Sequence, residues 1–355
     1  IENYIELKEA LVKDGYEFSS QTDSELIAHL LDSYLEKGNS MIDAMYLAKE
    51  KLEGAYAIAA IDMDNNNSLV VARNKSPLLL GIGTDEMLAA SDPLAIGQLT
   101  NEFVFLEDGD VAEISAESYK IFNENKKEVE REISNIDISS QATSKGVYKH
   151  FMEKEIYEQP EAILNTLDGR VGGDDILDNI FGLGSCELFA KAKRIQIVAC
   201  GTSLHAGRVA ANWLSSIAEL PCQIDYASEY RYRNPHVDEN SLFITISQSG
   251  ETADTLAALR YAKDKGYLGS VSICNVPTSS LARESDFVLF TNAGPEIGVA
   301  STKAFTTQLA GLMLLVLSLA KSRNLNPKLR TRVITALRTL PEVINETLAL
   351  KEKIL

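Results

Sequence analysis

Apolar positions in the first 123 residues fall first at helical spacing and then in short, closely spaced runs. Residues 3–14 carry a helical pattern that stops at Gly15. Thr22 and Glu25 form a Thr-x-x-Glu capping box ahead of Leu26, Ile27, Leu30 and Leu31, predicting a second helix. A third is predicted over residues 40–52, ending near Gly54. Strands then dominate: YAIAAI (56–61), SLVVAR (68–73), PLLLGIG (77–83), EFVFL (102–106), DVAEI (110–114) and YKIF (119–122). Turns at Asp64-Asn65-Asn66-Asn67 and Asp108-Gly109 separate some of them. Strands this close together predict antiparallel sheets against helices, an α+β unit. Residues 124–146 are polar and charged and predict an interdomain linker.

The rhythm then changes. Solid apolar runs alternate with helical patterns: RIQIVAC (194–200) before a helix at 203–218, QIDYA (223–227), and SLFITIS (241–247) before a helix at 252–266. SVSIC (270–274), a short helix in SSLARES, FVLFT (287–291) and a long helix from about Thr302 to Arg323 follow. Alternating strands and helices with fully apolar strands predict a parallel sheet covered on both faces, and hence an α/β unit. Ligands in such sheets sit at the carboxyl ends of the strands.

The length of 355 residues fits two domains. Acidic residues outnumber basic ones, 51 to 34, for a net charge of −17. That balance argues against nucleic acid and against an anionic membrane as partners. It does not exclude a phosphate ligand, which backbone amides hold without a basic patch. Cys186, Cys200, Cys222 and Cys274 form no CxxC pair, and no His stands at zinc-ligand spacing. They are expected to be buried free thiols in a reducing cytoplasm. The longest apolar run, Leu309 to Ala320, is short of the ~20 residues that cross a bilayer. No signal peptide is visible. The chain opens without Met inside one helical pattern and closes inside another at KEKIL, which suggests a piece of a longer protein.

Three strand ends carry unusual turns: Gly201-Thr202-Ser203, Ser247-Gln248-Ser249-Gly250-Glu251-Thr252, and Gly298 to Lys303. The second is the most informative. Ser247, Ser249 and Thr252 offer three hydroxyls to a phosphate, Gly250 permits close backbone approach, and a helix start points its free N–H groups at the same spot. The plainer reading of each turn is a polar βα connection with an N-cap. Gly182-Leu-Gly184 lacks the third glycine of a dinucleotide fingerprint. His205 reads as a cap or packing residue, and Tyr226, Tyr230 and Tyr232 with Arg231 and Arg233 as core and interface packing. Glu251 reads equally as a base or a helix-start acid, and Asp23 as a first-turn acid.

CGTS, SQSGETADTLAALR, ASEYRYRNP, NVPTSSLARESD and TNAGPEIGVASTKAFTTQL resemble the first sugar-isomerase (SIS) domain of the glucosamine-6-phosphate synthase family. MEKEIYEQP, SQTDSELIAHL, EGAYAIAAID, ASDPLAI and FLEDGDVAEI resemble the same family, so the likeness covers nearly the whole chain. It implies a glutaminase part of the N-terminal-nucleophile hydrolase fold over residues 1–123, a linker over 124–146, and a first SIS domain over 147–325. A helical segment over 326–355 would lead toward a second SIS domain. The family makes glucosamine 6-phosphate and glutamate from fructose 6-phosphate and glutamine, the first step toward UDP-N-acetylglucosamine. It uses no metal or organic cofactor and works as a cytoplasmic homodimer.

The resemblance places Thr202, Ser203, Ser247, Gln248, Ser249 and Thr252 in the sugar-phosphate pocket. Val299 and Ser301 would lie against the sugar, and Asp23 would receive the α-amino group of glutamine. The family's nucleophilic Cys and Asn-Gly pair would precede Ile1, and the second SIS domain with the ring-opening His, Glu base and Schiff-base Lys would follow Leu355. No catalytic residue is therefore expected within this chain, which would bind without turnover. The missing long glutaminase insertion resembles the bacterial type. A sugar-phosphate sensor would need a helix-turn-helix and a basic face; a stand-alone SIS isomerase would need its own base, with only Glu251 and His205 near the pocket.

Overall fold

The computed structural model describes residues 1–64, 67–136 and 144–351. The centre of the Asp64–Asn67 turn, residues 137–143 of the expected linker and the end of KEKIL lie outside that range. The chain divides into two compact units, Ile1–Thr143 and Ser144–Leu355.

In the first unit, helices α1 (Tyr4–Lys13), α2 (Asp23–Leu35) and α3 (Met41–Lys49) precede β1 (Tyr56–Ile61), β2 (Leu69–Asn74), β3 (Leu79–Ile82) and β4 (Met87–Ala90). A short α4 (Pro93–Ile96) then leads to β5 (Glu102–Phe105), β6 (Val111–Ile114), β7 (Tyr119–Phe122), β8 (Glu128–Val129) and β9 (Ile133–Asn135). Two antiparallel sheets result, with orders β1-β2-β6-β7-β8 and β4-β3-β5-β9. Alternation along β2 explains the layering. Val70 and Ala72 face the helices, packing with Leu26, Leu30 and Met45. Val71 points the other way, into a core shared with Leu80 and Val104 of the second sheet.

The linker expectation needs correction. Residues 128–135 carry β8 and β9, which close the edges of the two sheets on β7 and β5. Their few apolar residues hid them, because an edge strand buries little and needs mainly its backbone hydrogen bonds. Short β4 and α4 also went unforeseen.

The second unit begins with α5 (Phe151–Leu167), the hairpin β10 (Val171–Gly172) and β11 (Asp175–Ile176), and α6 (Ser185–Lys191). Then come β12 (Arg194–Ala199), α7 (Gly201–Ile217), β13 (Cys222–Tyr226), α8 (Ala227–Tyr230), β14 (Ser241–Ile246) and α9 (Ala253–Lys263). It ends with β15 (Gly269–Cys274), α10 (Ser280–Glu284), β16 (Phe287–Phe290), α11 (Lys303–Ser322) and α12 (Pro327–Leu348). The sheet is parallel throughout, in the order β13-β12-β14-β15-β16, with Ile197 opposite both Ile224 and Ile244. Ile195, Ile197, Leu242, Ile244 and Ile246 face a core completed by Leu312 and Leu315 of α11. Val198 and Phe243 face a second core with Leu256, Leu259 and Tyr230. Both faces are therefore covered, as the solid apolar strands predict.

Helix α11 is long and apolar enough to span a bilayer by length and composition, but 78% of its apolar window is buried in the unit. Its Lys303, Thr307, Gln308 and Ser318 are buried as well, which marks it as the central helix of this core. The strand order reverses between β12 and β14, each joined through its own helix to opposite sides of the sheet. A reversal of this kind is where open α/β sheets place a ligand, at the carboxyl ends of the two strands.

Candidate functional site

The turns after β12 and β14 flank that reversal point. Gly250 stands at φ 68°, a left-handed conformation open to glycine at little strain. A Cβ there would lie 2.1 Å from Ser279 Oγ, so glycine is needed for space as well. The reversal brings Ser247 Oγ to 3.0 Å from Thr252 Oγ1, and Ser247 Oγ also accepts from the Gly250 N–H at 3.1 Å. Thr252 is the N-cap residue of α9 but makes no side-chain cap bond. Its hydroxyl faces Ser247 instead, so a plain N-cap does not describe it. The first-turn amides of α9 have no partner within the helix, and the positive end of its dipole lies beside the two hydroxyls.

The other residues named for this pocket divide. Ser249 Oγ accepts from the Glu251 N–H within the turn at 3.1 Å. Gln248 accepts through its carbonyl from the Asn275 N–H. Thr202 is exposed on the first turn of α7. Ser203 is buried and accepts from Gln308 Nε2 at 3.0 Å. Thr255 Oγ1 lies 3.9 Å from Cys200 Sγ, which sets the starts of α9 and α7 side by side. Val299 is fully exposed, and Ser301 donates to Glu296 Oε2 at 3.3 Å.

Several residues that the spacing did not single out organise this edge. Asn275 links three loops: its N–H donates to Gln248, its Oδ1 accepts from Thr291 Oγ1 and the Ala293 N–H, and its Nδ2 donates to the Gly294 carbonyl. Glu296 caps α11, accepting from the Thr302 and Ala304 amides at 2.9 and 3.0 Å. Glu155 on α5 accepts from the Ile297 and Gly298 amides. A signal for Glu155 existed: it stands seven residues before Ala162 on the buried stripe of α5, where an acid is out of place.

Other expectations shift. Glu251 is neither free nor a cap of α9; its Oε1 accepts from the Ser280 N–H at the start of α10. Of the tyrosine cluster only Tyr230 is core, its hydroxyl 2.7 Å from that of Tyr267, while Tyr226 and Tyr232 are exposed. Arg231 pairs with Asp254 and Arg233 with Asp225. His205 is exposed. All four cysteines are free, but only Cys274 is fully buried. Burial pushes the Cys222 and Cys274 thiols up to about 12, so neither is a thiolate near neutral pH.

In the first unit Asp23 opens α2 with its side chain half exposed. That carboxylate stands at the amino-terminal end of α2, beside the free first-turn amides of the helix. The expected capping box does not form. Glu25 reaches past Thr22 and accepts from the amides and hydroxyls of both Ser19 and Ser20. The Ser20 hydroxyl first, and then the Ser19 amide, hold its pKa down to about 2. A cavity of about 640 Å³ opens between α2 and β1, lined by Ser24, Ile27, Leu31, Ile58 and Asp62 among others. It shares no residue with the serine turn.

This architecture is matched among known proteins. Residues 188–318 match the SIS domain, and residues 1–98 match a glutamine amidotransferase domain. The chain thus joins a glutamine amidotransferase domain to an SIS domain. It is 51% identical over 351 residues to the isomerizing glutamine–fructose-6-phosphate aminotransferase of Pseudomonas putida, covering 99% of this chain and 57% of that protein. It is 47% identical over 355 residues to the enzyme of the same name from Vibrio parahaemolyticus, covering 100% of this chain and 58% of that protein. The solved C-terminal domain of glucosamine-fructose-6-phosphate aminotransferase from Francisella tularensis is 49% identical, with a TM-score of 0.58 over 59% of each chain. The family resemblance read from the motifs therefore extends along the whole chain, which spans somewhat over half the length of these curated relatives.

Two measurements check the local physics. Gly250→Ala combines a strained φ with a clash on Ser279, and should destabilise the second unit by roughly 1–3 kcal/mol in urea unfolding. A neutral effect would contradict the turn as described. Glu25 has a folded pKa of about 2 against its ordinary 4.5, so its contribution is full above about 4.5 and is lost as pH falls toward 2. Glu25→Gln should flatten the pH dependence of thermal unfolding across that window; an unchanged slope would contradict the assignment.

Proposed function

We propose that this chain is the portion of a glutamine–fructose-6-phosphate aminotransferase that holds the sugar phosphate. Residues 147–325 form the first SIS domain, and residues 1–123 belong to the glutaminase part. The observation that carries the reading is the meeting of the Ser247 and Thr252 hydroxyls at the start of α9, beside the strand-order reversal. A phosphate placed there receives hydroxyls from Ser247, Ser249 and Thr252 together with the first-turn amides, with Gln248, Thr202 and Ser203 alongside. Each bond to a charged oxygen contributes about 1.5–3 kcal/mol, so no cation is required. The sugar extends toward Val299 and Ser301, on the loop that Asn275 ties to the serine turn.

Fructose 6-phosphate is the ligand of this site and glucosamine 6-phosphate the product of the whole enzyme. Asp23, at the start of α2, receives the α-ammonium of glutamine. The free thiols suit a cytoplasmic setting, and the assembly we assign is a homodimer. The antiparallel sheets of the first unit speak against a DNA-binding sensor.

The Ser247→Ala, Thr252→Val double variant should lose fructose 6-phosphate affinity by about a hundredfold or more in calorimetry, two charged hydrogen bonds being removed, with its circular dichroism unchanged. Unchanged affinity would refute the phosphate site.

A further inference from the structure

We propose that Glu155 is a positioning residue that fixes the turn carrying Val299 and Ser301, and so sets affinity for the sugar portion of the ligand rather than for its phosphate. The inference rests on the sugar-phosphate reading above. Glu155 is only 2% exposed, on the face of α5 that also buries Ala162, Ile163 and Thr166. Its Oε1 accepts two successive amides, Ile297 at 2.6 Å and Gly298 at 2.9 Å. Its Oε2 is buried with no hydrogen-bond partner among the described residues. A buried carboxylate with one bare oxygen is unfavourable, so stability alone is a weak reason for an acid at this place.

Gly298 completes the argument. It does not have the left-handed φ that would require glycine. A Cβ on it would instead come within 2.5 Å of Glu155 Oε2, so glycine here makes room for the carboxylate. Acid and glycine are a matched pair. Beyond them, Glu296 holds Ser301, Thr302 and Ala304. Residues 299–301 are thus pinned on both sides while the Val299 side chain stands in solvent. A turn fixed before the ligand arrives need not be ordered on binding, and that saving appears as affinity. The phosphate-binding turn at 247–252 has its own supports in Ser279, Asn275 and the start of α9. Loss of Glu155 should leave it intact.

The test is calorimetry on this chain with two probes, fructose 6-phosphate and inorganic phosphate. Glu155→Ala should weaken fructose 6-phosphate by about tenfold or more and inorganic phosphate by less than about twofold. Glu155→Gln keeps an acceptor for both amides and should stay within about threefold of the parent for both probes. Gly298→Ala, which displaces the carboxylate, should reproduce the Glu155→Ala pattern. If Glu155→Ala does not fold, Gly298→Ala and Glu155→Gln carry the comparison. Equal loss for both probes, no loss for either, or a glutamine variant as impaired as the alanine one would overturn the positioning role. A parent chain that binds phosphate but not fructose 6-phosphate, or binds neither, would overturn the sugar-phosphate reading itself.

Discussion

The chain leaves β14 and enters α9 through a left-handed glycine packed against Ser279, and the chemistry of the second unit depends on that reversal. With any side chain at position 250 the turn would have to move, and the Ser247 and Thr252 hydroxyls would lose their 3.0 Å approach. The parallel sheet supplies the rest of the constraint. Its strand order reverses between β12 and β14, so the starts of α7 and α9 lie next to each other, joined by the Thr255–Cys200 contact. Two helix dipoles and a set of small polar side chains then converge without any strand having to deform.

This arrangement would reconcile an acidic chain with the anionic ligand proposed for it. A net charge of −17 repels a phosphate at long range, but screening limits that repulsion to about 8–10 Å at physiological salt. At the serine turn the local donors would decide. Carboxylates near the same edge are spent on backbone amides: Glu251 on α10, Glu296 on α11 and Glu155 on the 297–298 turn. Each fixes a loop, and none needs to face the ligand.

The sheet type and both units were legible in the sequence because apolar spacing reports burial, and burial on two faces leaves solid runs such as FITI and QIVA. Composition also exposed the serine turn, since few plain βα connections gather three hydroxyls and a glycine. What escaped had a physical reason. Strands β8 and β9 are edge strands with almost no apolar signature, so they read as a linker. Glu25 matched the spacing of a capping box, but Ser19 and Ser20 offered four donors where the box offers one. Asn275 and Glu296 act through backbone groups of distant loops, which no local pattern encodes. Glu155 alone left a trace, as an acid on a buried helical stripe.

Diffraction from crystals of this chain soaked in fructose 6-phosphate addresses the central claim directly. The phosphate is predicted within hydrogen-bonding reach of the Ser247 and Thr252 hydroxyls and of the first amides of α9, with the sugar directed toward Val299 and Ser301. Phosphate bound instead at Arg231 and Arg233, with the serine turn empty, would contradict it.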